Sequence, residues 1–175
     1  ENVARAAAQR GLPVIHLSTD YVFDGTKGAP YVESDPVAPL GVYGQTKEAG
    51  ERAVRAANRS HVILRTAWVF SPFGRNFVTT MLRVAADRDE LRVIDDQRGT
   101  PTTASDIARA VAVIAERLAR SPTESPLYGT FHYAGGEATT WYRFANAIFA
   151  ESKPRGGPWA KLAPIGTADY PTVAR

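Results

Sequence analysis

The chain has 175 residues, of which 44% are hydrophobic and 22% are charged, as is typical of a globular protein with a sizeable core. It contains no cysteine, which excludes a disulfide framework and a thiolate zinc site, and its three scattered histidines do not indicate a metal centre. The net charge of +3 comes from interleaved acids and bases, so we expect no nucleic-acid partner. With neither a long apolar run nor a signal sequence, we expect a cytoplasmic protein without a membrane partner.

The first part of the chain alternates helical patterns with short apolar strands. An Ala-rich segment over 2–10, ended by Gly11, predicts a helix, and 13–17 predicts a buried parallel strand. A second helix is predicted over 42–57 and a second buried strand over 61–66. This alternation is typical of an α/β fold with a parallel sheet.

The connecting and later segments complete the predicted element order. Residues 24–40 are rich in proline and glycine and predict a long, functional loop. Further helices are predicted over 76–86, 104–119 and 140–151, and strands over 91–94 and 129–134, while 68–70 is expected to continue the second strand. Ser105 and Asp106 are expected to cap the start of one helix, and Thr139 or Thr140 the start of another. The segment after 151 is expected to be irregular, because its prolines and glycines interrupt every period.

Tyr43 and Lys47 lie four residues apart on the helix predicted for 42–57, so both side chains project from one face. A lysine ammonium near a phenol stabilises the phenolate, which makes the tyrosine a better proton donor near neutral pH. Reduction of a ketone by hydride transfer requires such an acid, and the lysine can also bind the hydroxyls of a cofactor ribose. The pair therefore indicates a reductase that uses a nicotinamide cofactor.

The context of this pair supports the reductase hypothesis, although simpler interpretations exist for each residue. Thr19 and Asp20 follow a buried strand, at the edge where ligands of open α/β sheets bind, and the Thr19 hydroxyl could hydrogen-bond a substrate oxygen there. A strand-ending turn would use the same residues equally well. Trp68 could simply pack at the sheet end, and the run of Asp95, Asp96 and Gln97 could either approach a substrate or cap a turn.

Several ordered segments resemble the dTDP-4-dehydrorhamnose reductase family of extended short-chain dehydrogenases. In the first half these are STDYVFDG, VYGQTKEAGE and LRTAWVF. In the second half they are NFVTTML, VIDDQRGTPTTASDIA, GTFHYAGG with TWYRFA, and the closing DYPTVAR. The resemblance implies NADPH-dependent, or NADH-dependent, reduction of dTDP-4-dehydro-L-rhamnose to dTDP-L-rhamnose, a dTDP-sugar as substrate and a homodimer as a candidate assembly.

The resemblance also implies roles for individual residues. Tyr43 matches the catalytic acid, Lys47 the residue that stabilises its phenolate and binds the ribose, and Thr19 the third catalytic member. Cofactor contacts fall on Leu17, Tyr43 and Lys47, and substrate contacts on Thr19, Asp20 and Trp68. No metal ligand is implied.

The implied fold is the C-terminal part of a Rossmann-type doubly wound parallel sheet plus a smaller α/β substrate-binding domain. Residues 1–70 would belong to the Rossmann domain and 71–175 mainly to the substrate domain, with 95–120 a candidate for return to the first. The family's glycine-rich dinucleotide fingerprint is missing from this sequence, and by resemblance roughly 80 residues, about one mononucleotide-binding half, would precede it.

Two rival functions fit parts of the same pattern. Tyr21 follows Thr19-Asp20 where nucleotide-sugar dehydratases carry an acid, which favours reduction over elimination. A nucleotide-sugar epimerase is the nearest enzymatic alternative, although it usually carries a Ser-Ser segment at positions 18–20. A catalytically silent, reductase-like regulatory subunit would keep the fold and part of the motif.

Overall fold

The computed structural model describes residues 1–122 and 124–170, so positions 171–175 of the closing DYPTVAR motif lie outside the described residues. The helices are α1 Asn2–Ala8, α2 Val42–Ala57, α3 Phe77–Ala85, α4 Ala104–Leu118 and α5 Trp141–Ser152. The strands are β1 Val14–Thr19, β2 His61–Thr66, β3 Val69–Phe70, β4 Glu90–Ile94, β5 Arg98–Gly99, β6 Thr102–Thr103, β7 Gly129–His132, β8 Thr139–Thr140 and β9 Lys161–Ile165. They form two compact units.

The first unit comprises Glu1–Ala67 and Asp106–Tyr133 and is built on a three-stranded parallel sheet in the order β1-β2-β7. The register pairs Ser18 with Arg65 and Thr19 with Thr66, so the carboxyl ends of β1 and β2 lie side by side. α1 and α2 pack on this sheet through a buried cluster of Ala4, Val54 and Ile63. The α/β class with parallel strands is thereby confirmed.

The second unit comprises Trp68–Ser105 and the described residues from Ala134 onwards. Its strands form three two-stranded sheets, with β3–β6 and β4–β9 parallel and β5–β8 antiparallel. α5 packs on β4 and β9, and α3 packs on α5, around one apolar core. The buried members of that core are Ala85, Leu91, Val93, Ala145, Ile148, Phe149 and Ala160.

The expectation of an irregular segment after 151 was wrong, because Lys161–Ile165 forms β9. Pro164 lacks a backbone N–H, so the sequence does not read as a strand. In the described ranges β9 pairs only with β4, and an edge strand of this kind tolerates a proline. The expected cap was also misplaced. The helix already begins at Ala104, so Ser105 and Asp106 lie inside its first turn.

The expected continuation of β2 through 68–70 was also wrong. Trp68 adopts a left-handed backbone conformation, with φ of +46°, which ends β2 and turns the chain. Val69 and Phe70 then form the separate strand β3, which pairs with β6. None of the helices in the described part of the chain is long and apolar enough to cross a bilayer.

Candidate active site

α2 begins directly against the turn that follows β1. Its N-cap is Gly41, and Gly44 lies in its first turn at a point where an added Cβ would come 2.2 Å from the backbone oxygen of Tyr21. Only glycine allows so close an approach, because any larger residue would push the helix away from the turn. The sequence thereby brings the start of α2, with its Tyr43, to the carboxyl edge of the parallel sheet.

Lys47 connects α2 to the end of β1. Its Nζ atom donates a hydrogen bond of 2.6 Å to the backbone carbonyl of Leu17. This bond uses one of three ammonium protons, so two remain for a ligand. Leu17 itself lies on β1 and is half-exposed, which leaves its side chain available to a bound molecule.

The Tyr43 phenol is exposed to solvent, and it lies on the same face of α2 as Lys47. Its side chain is 58% exposed, and its ring packs edge-on against Tyr21 at 5.8 Å between centroids. Its hydroxyl makes no hydrogen bond to any residue in 1–122 or 124–170. A phenol that is fixed by ring packing and free at its oxygen is suited to give a proton to a ligand.

Thr19 and Asp20 close the end of β1. Thr19 is buried and caps the short 3-10 turn Asp20–Val22, its Oγ1 accepting from the Tyr21 backbone N–H at 3.2 Å and donating to Asp20 Oδ1 at 3.1 Å. The turn-forming role is therefore real, and it leaves the second lone pair of the Thr19 oxygen free. Burial raises the pKa of Asp20, and the bond from Thr19 only partly offsets that effect. Burial likewise raises the pKa of Tyr21.

A buried ion pair beneath these residues was not expected from the sequence. Glu51, one turn after Lys47, accepts two hydrogen bonds from Arg65 on β2, at 2.9 and 2.8 Å, and one of 2.5 Å from Ser18 on β1. Arg55 adds a further bond of 2.6 Å. Burial alone would raise the pKa of Glu51, but the hydrogen bonds and charges of these partners outweigh it and lower that pKa. Spacing alone places Glu51 on the same helix face as Lys47, four residues on, but it does not identify Arg65 as its partner.

The long loop over 24–40 is held by its own side chains. The Tyr31 ring stacks on Phe23 at 4.2 Å, and its hydroxyl donates 2.7 Å to Asp24. Lys27 reaches Asp35 at 2.5 Å, and Glu33 accepts from the His132 backbone N–H on β7. The loop therefore has a defined path beside the sheet.

Trp68 lies in the second unit. Its indole stacks on that of Trp141 at 3.4 Å between centroids, with 9° between the planes. In the expected run of Asp95, Asp96 and Gln97, Asp96 caps a turn by accepting from the backbone N–H and hydroxyl of Thr167, and Gln97 joins Trp141 to Thr167. Asp95 accepts from the Thr140 hydroxyl at 2.5 Å.

The structure thus brings five of the six expected site residues together in the first unit, at one edge of the sheet: Leu17, Thr19, Asp20, Tyr43 and Lys47. A free phenol, an ammonium group with unused protons and a polar strand end fit the nicotinamide and ribose part of a dinucleotide. In the portion of the chain that is described, no three acidic or histidine side chains are grouped so as to hold a metal ion.

Comparison with known proteins gives a consistent result. A family model described as the RmlD substrate binding domain matches residues 1–175. The dTDP-4-dehydrorhamnose reductase of Sinorhizobium fredii is 50% identical over 173 residues, which cover 99% of this chain and 58% of that relative. The chain thus spans little more than half the length of the curated relatives it matches.

Solved structures agree with this match. The dTDP-4-dehydrorhamnose reductase of Clostridium acetobutylicum superposes with a TM-score of 0.87 at 40% identity, covering 99% of this chain and 57% of that one. The enzyme of the same name from Bacillus anthracis, solved in complex with NADP, gives 0.89 at 32% identity, with 99% and 58% covered. The fold expected for this sequence is therefore confirmed by relatives that share its residues as well as its shape.

Proposed function

Because this chain belongs to the RmlD substrate binding domain family, we propose that the full-length protein reduces dTDP-4-dehydro-L-rhamnose to dTDP-L-rhamnose with NADPH. One observation carries the proposal. Tyr43 and Lys47 stand at the carboxyl edge of the parallel sheet, with Lys47 anchored to the Leu17 carbonyl and the Tyr43 hydroxyl unbonded within the described residues. The NADP complex of the relative from Bacillus anthracis supports the choice of cofactor.

The chemistry follows from the free groups at this edge. When bound, the reduced nicotinamide supplies the hydride to the carbonyl carbon at C4 of the sugar. Tyr43 gives its proton to the carbonyl oxygen, which becomes the new hydroxyl, and the Lys47 ammonium stabilises the phenolate left behind. The two unused protons of Lys47 hydrogen-bond the cofactor ribose hydroxyls. Leu17 lines the nicotinamide end.

Thr19 and Asp20 would hydrogen-bond the substrate at this edge of the sheet. The single Thr19 hydroxyl proton is directed to Asp20, so a bond from Thr19 to the sugar oxygen requires that hydroxyl to rotate, which costs little because the 3.1 Å bond is long. Asp20 would accept from a sugar hydroxyl. Trp68, by the resemblance, would contact the sugar with its ring.

A kinetic experiment tests this function. The full-length protein is supplied with NADPH and dTDP-4-dehydro-L-rhamnose, and absorbance of the reduced nicotinamide is followed. We expect turnover in the wild type, a loss of about 10²-fold or more in Tyr43→Phe, and wild-type rates in the control Tyr142→Phe, whose ring packs in the second unit's core. NADPH that binds without oxidation would instead support a regulatory subunit, and an altered configuration at C5 without net reduction would support an epimerase.

The wider assignments belong to the same proposal. Residues 1–70 would complete a Rossmann domain and 71–175 would mainly form the substrate domain, with 95–120 returning in part to the first. The protein would work in the cytoplasm, where NADPH and nucleotide sugars are made, and its product would serve polysaccharide biosynthesis. A homodimer, without nucleic acid or membrane as partner, is the assembly we propose. Light scattering of the full-length protein measures it directly.

A further inference from the structure

The backbone of Trp68 is strained. Among residues 1–122 and 124–170 it is the one non-glycine residue with a positive φ, at +46°. A bulky residue rarely adopts this conformation, because its Cβ crowds the carbonyl oxygen. Such strain persists only where surrounding contacts fix the residue, and it concentrates at functional sites.

Two neighbours in the second unit fix the Trp68 indole. The Trp141 indole lies parallel to it at 3.4 Å, so one face of the Trp68 ring is already covered. Gly99 approaches the same ring so closely that a Cβ there would lie 2.2 Å from Cε2, 2.5 Å from Nε1 and 2.6 Å from Cζ2. Gly99 is not required by a left-handed backbone, since its φ is not positive. Its lack of a side chain therefore leaves the space that the Trp68 indole occupies.

Trp141 is in turn held from several directions. Its Nε1 donates 3.2 Å to the Gln97 side-chain oxygen, and the Gln97 amide donates 3.1 Å to the Thr167 hydroxyl. Trp141 is the first residue of α5, whose N-cap Thr140 accepts from a backbone N–H of the helix and donates to Asp95. Phe77 packs against the indole at 4.5 Å. The Trp141 indole is therefore held at its nitrogen by Gln97 and along its ring by Phe77 and Trp68.

We propose that Trp141, Gly99 and Gln97 are positioning residues that hold the Trp68 indole for its contact with the sugar ring of the nucleotide substrate. This inference rests on the proposed function. Trp141 supports one ring face and the Gly99 backbone packs against the other, so the sugar would meet the indole at its edge. Gln97 fixes the rotation of Trp141. The stack would raise affinity for the sugar without touching the nucleotide, because a ring that is already ordered loses less conformational entropy on binding.

Calorimetry on the full-length protein tests the proposal with two ligands, dTDP-L-rhamnose and dTDP alone. We expect Trp141→Leu and Gly99→Ala to weaken binding of the sugar nucleotide by about tenfold and to leave dTDP binding unchanged, since one aromatic contact is worth about that factor. Trp141→Phe keeps a ring in the stack and should recover most of the loss. Trp159→Phe, which removes the exposed tryptophan that packs under Lys153, should bind both ligands like the wild type.

Circular dichroism provides a readout of the stack itself. Two parallel indoles in contact give an exciton-coupled band, which we expect Gly99→Ala to change while both tryptophans remain in the chain. Equal weakening of both ligands by Trp141→Leu, or unchanged sugar binding when the exciton band is lost, would overturn the positioning role. A wild type that binds dTDP-L-rhamnose no better than dTDP and never oxidises NADPH would overturn the proposed function itself, and the positioning role with it.

Discussion

Glu51 and Arg65 join α2 to β2 by a two-pronged ion pair in which both side chains are buried, with 0% and 4% of their side-chain areas exposed. The Arg65 guanidinium also lies over the Phe23 ring, at 5.0 Å from its centroid. Because Glu51 follows Lys47 by one helical turn and also bonds Ser18 beside Thr19, the pair fixes the helix that carries the proposed acid against the strand that carries the polar end.

Glu51→Gln should therefore destabilise the full-length protein strongly. The amide cannot balance the buried Arg65 charge, and breaking a buried pair typically costs about 3–5 kcal/mol. Denaturant unfolding measures the loss. The matched control is Glu116→Gln on α4, which breaks an exposed pair with Arg120 and should cost less than about 1 kcal/mol. A similar small cost for both variants would show that the buried pair contributes no special stability.

The same carboxylate predicts an acid limit to stability. The folded-state pKa of Glu51 is lowered below its ordinary value of 4.5, so between the two values the unfolded chain binds more protons than the folded one. The stability that the pair contributes is present above pH 4.5 and is lost as the pH falls through the folded-state value. Melting temperatures measured across this range should decline more steeply in the wild type than in Glu51→Gln.

Asp20 should show the opposite sign. Burial raises its pKa above the ordinary 3.8, so stability decreases as the pH rises from that value through the shifted one, and the cost falls on the ionised form above it. Asp20→Asn should therefore stabilise the protein at pH 7, and it should weaken turnover if Asp20 binds the sugar. Asp24→Asn is the control with the reverse expectation, because hydrogen bonds from Thr26 and Tyr31 lower the pKa of that carboxylate. Thermal unfolding at pH 7 distinguishes the two.

Much of the first unit was predictable because its signals are local. The helix over 42–57 and the strand over 61–66 were predicted to the residue, since a charged helical face and a β-branched apolar run each determine one element. The strand Lys161–Ile165 was not predicted, because pairing with β4 stabilises it despite Pro164. The left-handed backbone conformation of Trp68 was likewise not predictable, because contacts with Trp141 and Gly99 hold it although a tryptophan rarely adopts it.

The placement of the proposed site residues was predictable, but the contacts that hold them in place were not. Tyr43 and Lys47 could be paired from spacing alone, and the edge they occupy followed from the order of strands and helices. The buried partnership of Glu51 and Arg65 depends on the register of α2 over the sheet, and spacing does not determine which of several charged residues will meet.

Gly44→Ala tests whether the contact of α2 with the turn matters. A Cβ at this position would lie 2.2 Å from the Tyr21 backbone oxygen, so the start of the helix must shift and carry Tyr43 with it. We expect both stability and turnover to fall. Gly50→Ala, on the same helix, meets only the His16 ring at 3.4 Å and should be neutral or gain about 0.5–1 kcal/mol from helix propensity. Unfolding and NADPH-oxidation assays on both variants make the comparison, and a Gly44→Ala enzyme with normal activity would show that Tyr43 tolerates the shift.

Lys47→Met separates the charge of this residue from its bulk. Methionine retains the length of the side chain but cannot bond the Leu17 carbonyl, stabilise the Tyr43 phenolate or donate to a ribose hydroxyl. We expect turnover of the full-length enzyme to fall by about 10²–10⁴-fold, and NADPH binding, followed by its fluorescence, to weaken as well. Lys47→Arg keeps the charge but not its compact geometry, so it should recover only part of the rate. Lys27→Met, which breaks the loop ion pair with Asp35, should leave turnover unchanged. If Lys47→Met retained wild-type turnover while Tyr43→Phe did not, the phenol would act without the lysine, and the bond to Leu17 would only hold the helix in place.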